Sequence, residues 1–584
     1  MKNGFLQNSI SYAKQAAEGI KHLRSLTLST FWKVFSLMGR REKILCLVLL
    51  LVAALSLFFS AKNFYYAHTN AAAAFGGVYT EGVLGQPTYI NPLLARTEPD
   101  LSLTDLVFSG LYKYNPEGRL VPDLAEGMPA LSEDQKQYTV NLRRDGKWHN
   151  NKPLTADDVI FTIQLLKDQA YKSPLRPLWQ ATNVEKLSDF SVKFTTKDVS
   201  GPFMDNLTVG ILPKSIWTNV EPQNFLLSKL NLEAVGSGPY SIIEINKLPS
   251  GKVQEISLQS NPNYHGGAPK IDRLVFKFYD IEDDILNAFH SREINGFGFI
   301  PLGSNLYINE KQPKAQVVSV ALPQHQVVFF NLNTKILSDQ NIRQALSLAT
   351  DKKQIIEEVF KNNALLSSSP FLFYGGKNNP ALPANVDLAQ ANTLLEKSGW
   401  KVDPQTNLRT NKQTVFEITI FTNDSGVNAK AAEILANQWR ALNIKVNLSV
   451  LPGKQLMDEV IKPRAFDVLL FPQKFSADPD PFLFWHSSQV KDPGYNLTGY
   501  KDQEADRLIA DARTTTDKKV REENYQKFNQ LILSKFPVIF LDQTQYIYVV
   551  DNKIKNVKLG VLYDPSQRFN DIVNWYVTEK RVWK

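Results

Sequence analysis

Val121-Pro122-Asp123-Leu124-Ala125-Glu126, Tyr138-Thr139-Val140-Asn141-Leu142-Arg143, Trp148-His149 and Pro153-Leu154-Thr155-Ala156-Asp157-Asp158-Val159 follow one another between positions 121 and 159. Alternation around Val140 and Leu142 predicts a strand over 140–142. Asn150-Asn151 predicts a tight turn, because asparagine accepts the left-handed backbone that such turns require. Thr155 predicts the N-cap of a helix over 156–167, with Asp157 and Asp158 in its first turn, where the helix dipole favours negative charge. Pro122, Leu124, Leu142, Val159 and Phe161 read as core. The stretch is therefore a strand, a turn and a helix folded around one apolar face.

Outward from this unit the same mixture continues. Periodicity predicts further helices over 281–290, 342–348, 388–397, 429–442 and 502–513, and strands over 274–278, 416–421, 445–450 and 466–470. Glycines in Gly236-Ser237-Gly238-Pro239 predict a turn with positive φ, and Arg343 predicts a buried partner for a carboxylate. Such mixing along a chain of 584 residues, far beyond one ordinary domain, predicts an α/β protein of two lobes. No internal repeat is present.

Residues 44–61, ILCLVLLLVAALSLFFSA, contain no charge over 18 positions. At about 1.5 Å per residue they cover roughly the hydrocarbon core of a bilayer. Arg40, Arg41 and Lys43 precede them and Lys62 follows, so the positive-inside tendency puts the N-terminus in the cytoplasm and all later residues outside. A cleaved signal peptide is the competing reading, although its basic region would be unusually long. Ahead of the span, Leu6, Ile10, Ala13, Ala17 and Ile20 recur at helical spacing, and Phe31, Trp32 and Phe35 sit among basic residues. Both an interfacial helix and a solvated tail fit that pattern.

The net charge of +8 is concentrated in this region. Residues 1–43 hold eight Lys and Arg against two Glu, or +6, which leaves +2 for the rest. A body so near neutrality lacks the footprint of a nucleic-acid binder. The single cysteine, Cys46, lies within the apolar run and allows no intrachain disulfide. No two of the seven histidines stand at i,i+3 or i,i+4 spacing, so no metal is expected. His-Glu-x-x-His, Gly-x-Ser-x-Gly and a phosphate loop ending in Gly-Lys-Ser/Thr are all absent, and Gly236-Ser237-Gly238 lacks the third glycine of a dinucleotide fingerprint. The sequence proposes no enzyme, no catalytic residue and no cofactor.

The 121–159 stretch resembles the signature region of the extracytoplasmic solute-binding proteins of ABC transporters, of the oligopeptide- and dipeptide-binding type in bacterial family 5. Asn150-Asn151 stands where that family usually has Asp-Gly. Further matches occur in the expected order: Asn91-Pro92 with Phe108-Ser109-Gly110-Leu111; Gly236-Ser237-Gly238-Pro239-Tyr240; Phe330-Asn331 with Ile342-Arg343-Gln344-Ala345-Leu346 and Ala349-Thr350-Asp351-Lys352; and Ala477-Asp478-Pro479-Asp480-Pro481 with Asn496 and Asp506.

The resemblance implies a two-lobed periplasmic-binding-protein-like α/β fold, with an extra subdomain in lobe I, behind a single N-terminal transmembrane helix. The expected division is a basic cytoplasmic segment over 1–43, the membrane helix over 44–61, a linker over 62–76, lobe I over 77–282, lobe II over 283–546 and a C-terminal segment over 547–584 that returns to lobe I. The two crossings are expected near 279–282 and 546–549.

The resemblance also implies a monomer that binds a peptide between the lobes and delivers it to ABC permease and ATPase subunits on separate chains. The alternatives are a membrane-anchored sensor or envelope scaffold, or a receptor for another solute such as an oligosaccharide or a metal chelate. By similarity Asp478 holds the α-amino group of the ligand, while Asp480 before Pro481 caps a helix. Phe475, Ser476, Ala477 and Trp485 are the expected wall of the same site, and Thr97 and Glu98 its contacts from lobe I. Core packing for the aromatic residues, and helix capping for the acidic one, are the competing readings of these positions.

Overall fold

The computed structural model describes residues 33, 35–299, 315–369, 371, 386–475, 477–515 and 517–584, without the side chain of 518. They form two units, one of residues 1–72 with 579–584 and the other of residues 73–578. The predicted amphipathic positions before residue 33, with Ser476, lie outside the described residues.

In the first unit the apolar run is the centre of a helix over Arg40–His68, none of whose residues is buried. It is long and apolar enough to cross a membrane. The helix outruns the uncharged stretch at both ends because helical bonding does not require apolar side chains; at its start Glu42 accepts the Gly39 N–H at 2.8 Å. Beyond it the strand Thr69–Ala74 pairs with the C-terminal strand Thr578–Trp583. Arg581 fastens this pairing. It donates to Thr69 Oγ1 at 2.7 Å, to the Thr69 carbonyl at 2.7 Å and to the Tyr66 carbonyl at 3.1 Å. Its guanidinium lies 4.2 Å from the centre of the Tyr66 ring.

The second unit is built on two large sheets. The first, of eight strands, runs in the order Ala315–Ala321, Asp542–Asp551, Gly296–Phe299, Val78–Leu84, Arg273–Tyr279, Val253–Ser260, Tyr240–Lys247, with Ala364–Leu366 also paired to Asp542–Asp551. The second, of five, runs Lys445–Leu451, Glu417–Asn423, Val468–Lys474, Gln324–Phe330, Val538–Phe540. Each has its own core. In Gln324–Phe330 the sheet is covered on both faces, so a continuous apolar run replaces alternation: Val328 and Phe330 enter one core, Val327 and Phe329 the other. A four-stranded antiparallel sheet, in the order Ala130–Leu131, Gln137–Asn141, Ser191–Thr196, Thr182–Ser188, supplies a further layer to the first lobe.

Local signals proved strong where the backbone itself demands them. The helix Ala156–Lys167 starts after Thr155 with a reciprocal box between Thr155 and Asp158, and Asn151 adopts φ 65° in the predicted turn. Gly236 and Gly238 serve a purpose other than the expected one. Neither has positive φ. A Cβ on Gly236 would stand 1.8 Å from the Val107 carbonyl oxygen, and one on Gly238 2.4 Å from that of Leu106, so close packing on a helix end requires both glycines. Arg343 is also reassigned: it donates to four main-chain carbonyls, of Leu337, Ser338, Lys535 and Phe536, instead of pairing with a carboxylate.

The crossings fall away from the expected positions. After Tyr279 the chain adds the strands Gly296–Phe299 and Ala315–Ala321 to the first sheet, and passes to the second through Leu322-Pro323. It returns through Leu541, between Val538–Phe540 and Asp542–Asp551. The short strand at 296–299 carries two glycines, which weaken its sequence signal. They are needed there: a Cβ on Gly296 or Gly298 would collide with the hydroxyl of Tyr79 or Tyr546.

Candidate functional site

The strand Val468–Lys474 ends where the two lobes meet, and the loop beyond it carries Phe475, Ala477, Asp478 and Asp480. Lys474 Nζ reaches Asp564 Oδ2 at 2.5 Å, in the segment that packs with the first lobe. The Asp478 N–H donates to Asp205 Oδ2 at 2.8 Å, and the other oxygen of Asp205 accepts the Tyr114 hydroxyl at 2.5 Å. The N–H of Gly201 donates to the Arg513 carbonyl at 3.1 Å. Three separate contacts thus join this end of the second lobe to the first.

The Asp478 carboxylate is 9% exposed and accepts from Arg521 Nη2 at 2.6 Å. Arg521 in turn donates to the Tyr525 hydroxyl at 3.0 Å. Burial pushes Asp478 up to about 6, Arg521 pulls it down, and Asp205 adds to the rise. A carboxylate so placed is fixed in direction, since a planar guanidinium constrains the group it binds. Asp480 stands one position before the expected cap: Pro481 is the N-cap of the helix, and the Asp480 carboxylate holds the turn that leads into it. One of its oxygens accepts the Phe482 N–H at 3.0 Å, ahead of the short helix Phe482–Trp485, and the other pairs with Arg513 at 2.9 Å.

Phe475 and Trp485 are both buried. Phe475 packs edge-on against Phe484 at 5.2 Å, and Trp485 lies against Phe528 and Phe540. They line the interior of the second lobe.

Thr97 and Glu98 open the helix Glu98–Val107 in the first lobe, Thr97 as N-cap to the Asp100 N–H at 3.4 Å. Glu98 Oε1 lies 3.3 Å from Arg568 Nη1 and accepts from the Tyr546 hydroxyl at 3.5 Å. Burial raises its carboxyl, with Arg568 opposing. Behind it Arg568 pairs with Glu81 at 2.9 Å, both side chains having no exposure. The second oxygen of Glu81 accepts the hydroxyls of Tyr79 and Tyr548. This network joins two strands, Val78–Leu84 and Asp542–Asp551, the helix Glu98–Val107 and the C-terminal segment of the first lobe.

Thr97 and Glu98 are thus on the first lobe, and Phe475, Ala477 and Asp478 on a loop of the second. Arg521, Asp205, Tyr114, Lys474, Asp564 and Arg568 were not singled out by sequence. Their partners lie far off in the chain, and no local pattern marks them.

The model of bacterial extracellular solute-binding proteins, family 5, matches residues 119–494. The oligopeptide-binding protein AppA of Bacillus subtilis is 25% identical over 555 residues, 92% of this chain and 100% of its own. Its structure in complex with a nonapeptide aligns with TM-score 0.69 over 87% of this chain and 100% of that one. The structure of the ABC transporter substrate-binding protein CtaP of Listeria monocytogenes is 26% identical, with TM-score 0.73 over 86% of this chain and 99% of that one. The nickel-binding periplasmic protein of Escherichia coli is 25% identical over 422 residues, 69% of this chain and 77% of its own. The two sheets with separate cores and two chain crossings are thus those of a two-lobed binding protein, and the chain belongs to the bacterial extracellular solute-binding proteins of family 5.

Proposed function

We propose that this chain is a receptor that captures peptides outside the cytoplasm and hands them to the permease of an ABC transporter, whose ATPase is a separate chain. It acts by binding alone, as a monomer, and the helix Arg40–His68 is its membrane anchor, with the N-terminus in the cytoplasm. The observation that carries the reading is Asp478: a buried carboxylate, oriented by Arg521, on a loop that touches the opposite lobe. A peptide's α-ammonium withdrawn from water needs such a partner. Glu98, with Thr97 at the N-terminus of its helix, faces the ligand from the first lobe, and Phe475 and Ala477 belong to the wall on the second, with the buried Trp485 in the core behind it. The likeness to AppA, named for oligopeptide binding and solved with a nonapeptide, supports peptide over other solutes.

Mass spectrometry of material released from the purified, detergent-solubilised chain tests this. Peptides are the expected product. A recurrent sugar or metal chelate in their place would replace the ligand class while leaving the receptor role.

A further inference from the structure

The helix Arg40–His68 runs past Ala61 over Lys62-Asn63-Phe64-Tyr65-Tyr66-Ala67-His68. At about 1.5 Å per residue, Phe64, Tyr65 and Tyr66 stand roughly 4–8 Å beyond the apolar run, a height within the headgroup layer of a bilayer. Three successive positions spread around a helix, so their rings form a partial collar. The rings are 58%, 40% and 51% exposed.

The strand Thr578–Trp583 adds to this collar from the far end of the sequence. The Lys584 N–H donates to the His68 carbonyl at 3.0 Å. Trp583 packs at right angles to Tyr65 with ring centres 5.9 Å apart, which holds its indole at the same height. Arg581, bonded to Thr69 and to the Tyr66 carbonyl, fixes the strand there. These contacts still leave Trp583 66% exposed and Val582 39% exposed. A cluster of exposed aromatic rings is unfavourable in water but suits the edge of a membrane, where an amphipathic ring meets acyl chains on one side and headgroups on the other.

Charge selects the kind of surface. Lys62, Lys580, Arg581 and Lys584 stand beside the single acidic Glu579, and none of these four basic side chains forms an ion pair among the described residues. Such an excess complements anionic headgroups, and the rings beside it set the depth at which the two meet. We propose that this end of the helix, together with Trp583, Lys580 and Lys584 of the C-terminal strand, is a docking surface for anionic phospholipid. The strand is a second attachment to the membrane beside the span itself. The proposal rests on the reading of the helix as a membrane anchor.

The test uses the full-length protein in nanodiscs of phosphatidylcholine, alone or mixed with phosphatidylglycerol. An environment-sensitive fluorophore is attached through Trp583→Cys in a Cys46→Ser background, Cys46 being the one native cysteine. Lipids brominated near the headgroup end of the acyl chain should quench it more than lipids brominated near the chain terminus. The native indole gives a second reading: wild type should lose more tryptophan emission to the first lipid than Trp583→Phe does. Each basic residue near an anionic surface favours contact by roughly fivefold, so phosphatidylglycerol should strengthen the quenching, and Lys580→Glu with Lys584→Glu should abolish that gain. A label that neither brominated lipid quenches overturns the proposal, whether solvent or protein covers it. Quenching indifferent to phosphatidylglycerol overturns it too. Protein that does not elute with the discs overturns the anchor reading and the surface with it.

Discussion

Lys474 and Asp564 meet at 2.5 Å across the junction of the two lobes, although 90 residues separate them in the chain. Burial pushes the Asp564 carboxyl up, but Lys474 and Ser566 outweigh it and hold the group below its usual range. A carboxyl with a depressed folded pKa contributes stability above its unfolded value, near 4, and loses it as pH falls through the folded value. The pair therefore acts at neutral pH. Lys474 is 50% exposed, so screening limits the pair to roughly 0.5–1 kcal/mol. Asp564→Asn should weaken ligand binding about two- to fivefold without preventing folding, and raised salt should erase the difference. An effect independent of salt would mean that Asp564 acts only through its turn to Ser566.

Asp478 should make binding depend on pH. Its folded carboxyl, up at about 6, is above its unfolded value, so this group favours folding at acid pH and loses that contribution as pH rises through about 6. Ligand binding runs the other way, since only the carboxylate pairs with an ammonium. Affinity for a free-amine peptide should fall by up to about tenfold per pH unit below about 6 while the protein stays folded. In Asp478→Asn that slope should vanish. A slope that survives in the variant assigns the titration to another group.

Arg568 and Glu81 are entirely buried together, and Arg568 also donates to Ser102 and the Pro565 carbonyl. Arg568→Met strands the Glu81 charge in the interior and should cost about 3–5 kcal/mol in chemical unfolding. Adding Glu81→Gln should recover part of the loss, because the stranded charge is then gone. A single variant within about 1 kcal/mol of wild type would contradict this role for the pair.

The membrane reading makes its own demand. A reporter active only outside the cytoplasm should work when fused after Lys62 and fail before Arg40. If instead the mature chain is soluble and begins beyond Ala61, the apolar run is a signal sequence. Removing residues 579–584 eliminates Arg581 and its bonds to Thr69 and Tyr66; protease should then cut near 69–72 far faster than in the intact chain.

How much was legible follows from how local each determinant is. Thr155 and Asp158 fix the start of the helix Ala156–Lys167 within four residues, and the expected span is the one found. Asn151 carries its turn conformation in its own side-chain chemistry. The lobe crossings depend instead on which strands the first sheet still accepts after Tyr279, and glycine-bearing Gly296–Phe299 gives little sign of being one. Asp478 was marked by its motif, but its partner Arg521 lies 43 positions away, on a helix whose polar sequence reads as solvated. Trp485 looked like cleft wall among neighbouring aromatic residues, yet it lies in the core with an unmet indole N–H.

The most direct test of the peptide receptor is calorimetric titration of the full-length protein and of Asp478→Asn with one free-amine peptide and its N-acetyl form. Losing one partner of a desolvated charge pair costs about 2–5 kcal/mol. Wild type should therefore prefer the free amine by roughly thirtyfold or more, at about 1.4 kcal/mol per factor of ten. Asp478→Asn should lose that preference and bind the acetylated form much as wild type does. Equal losses for both peptides would show that Asp478 shapes the lobe junction through Arg521 and Asp205 without reading the amine.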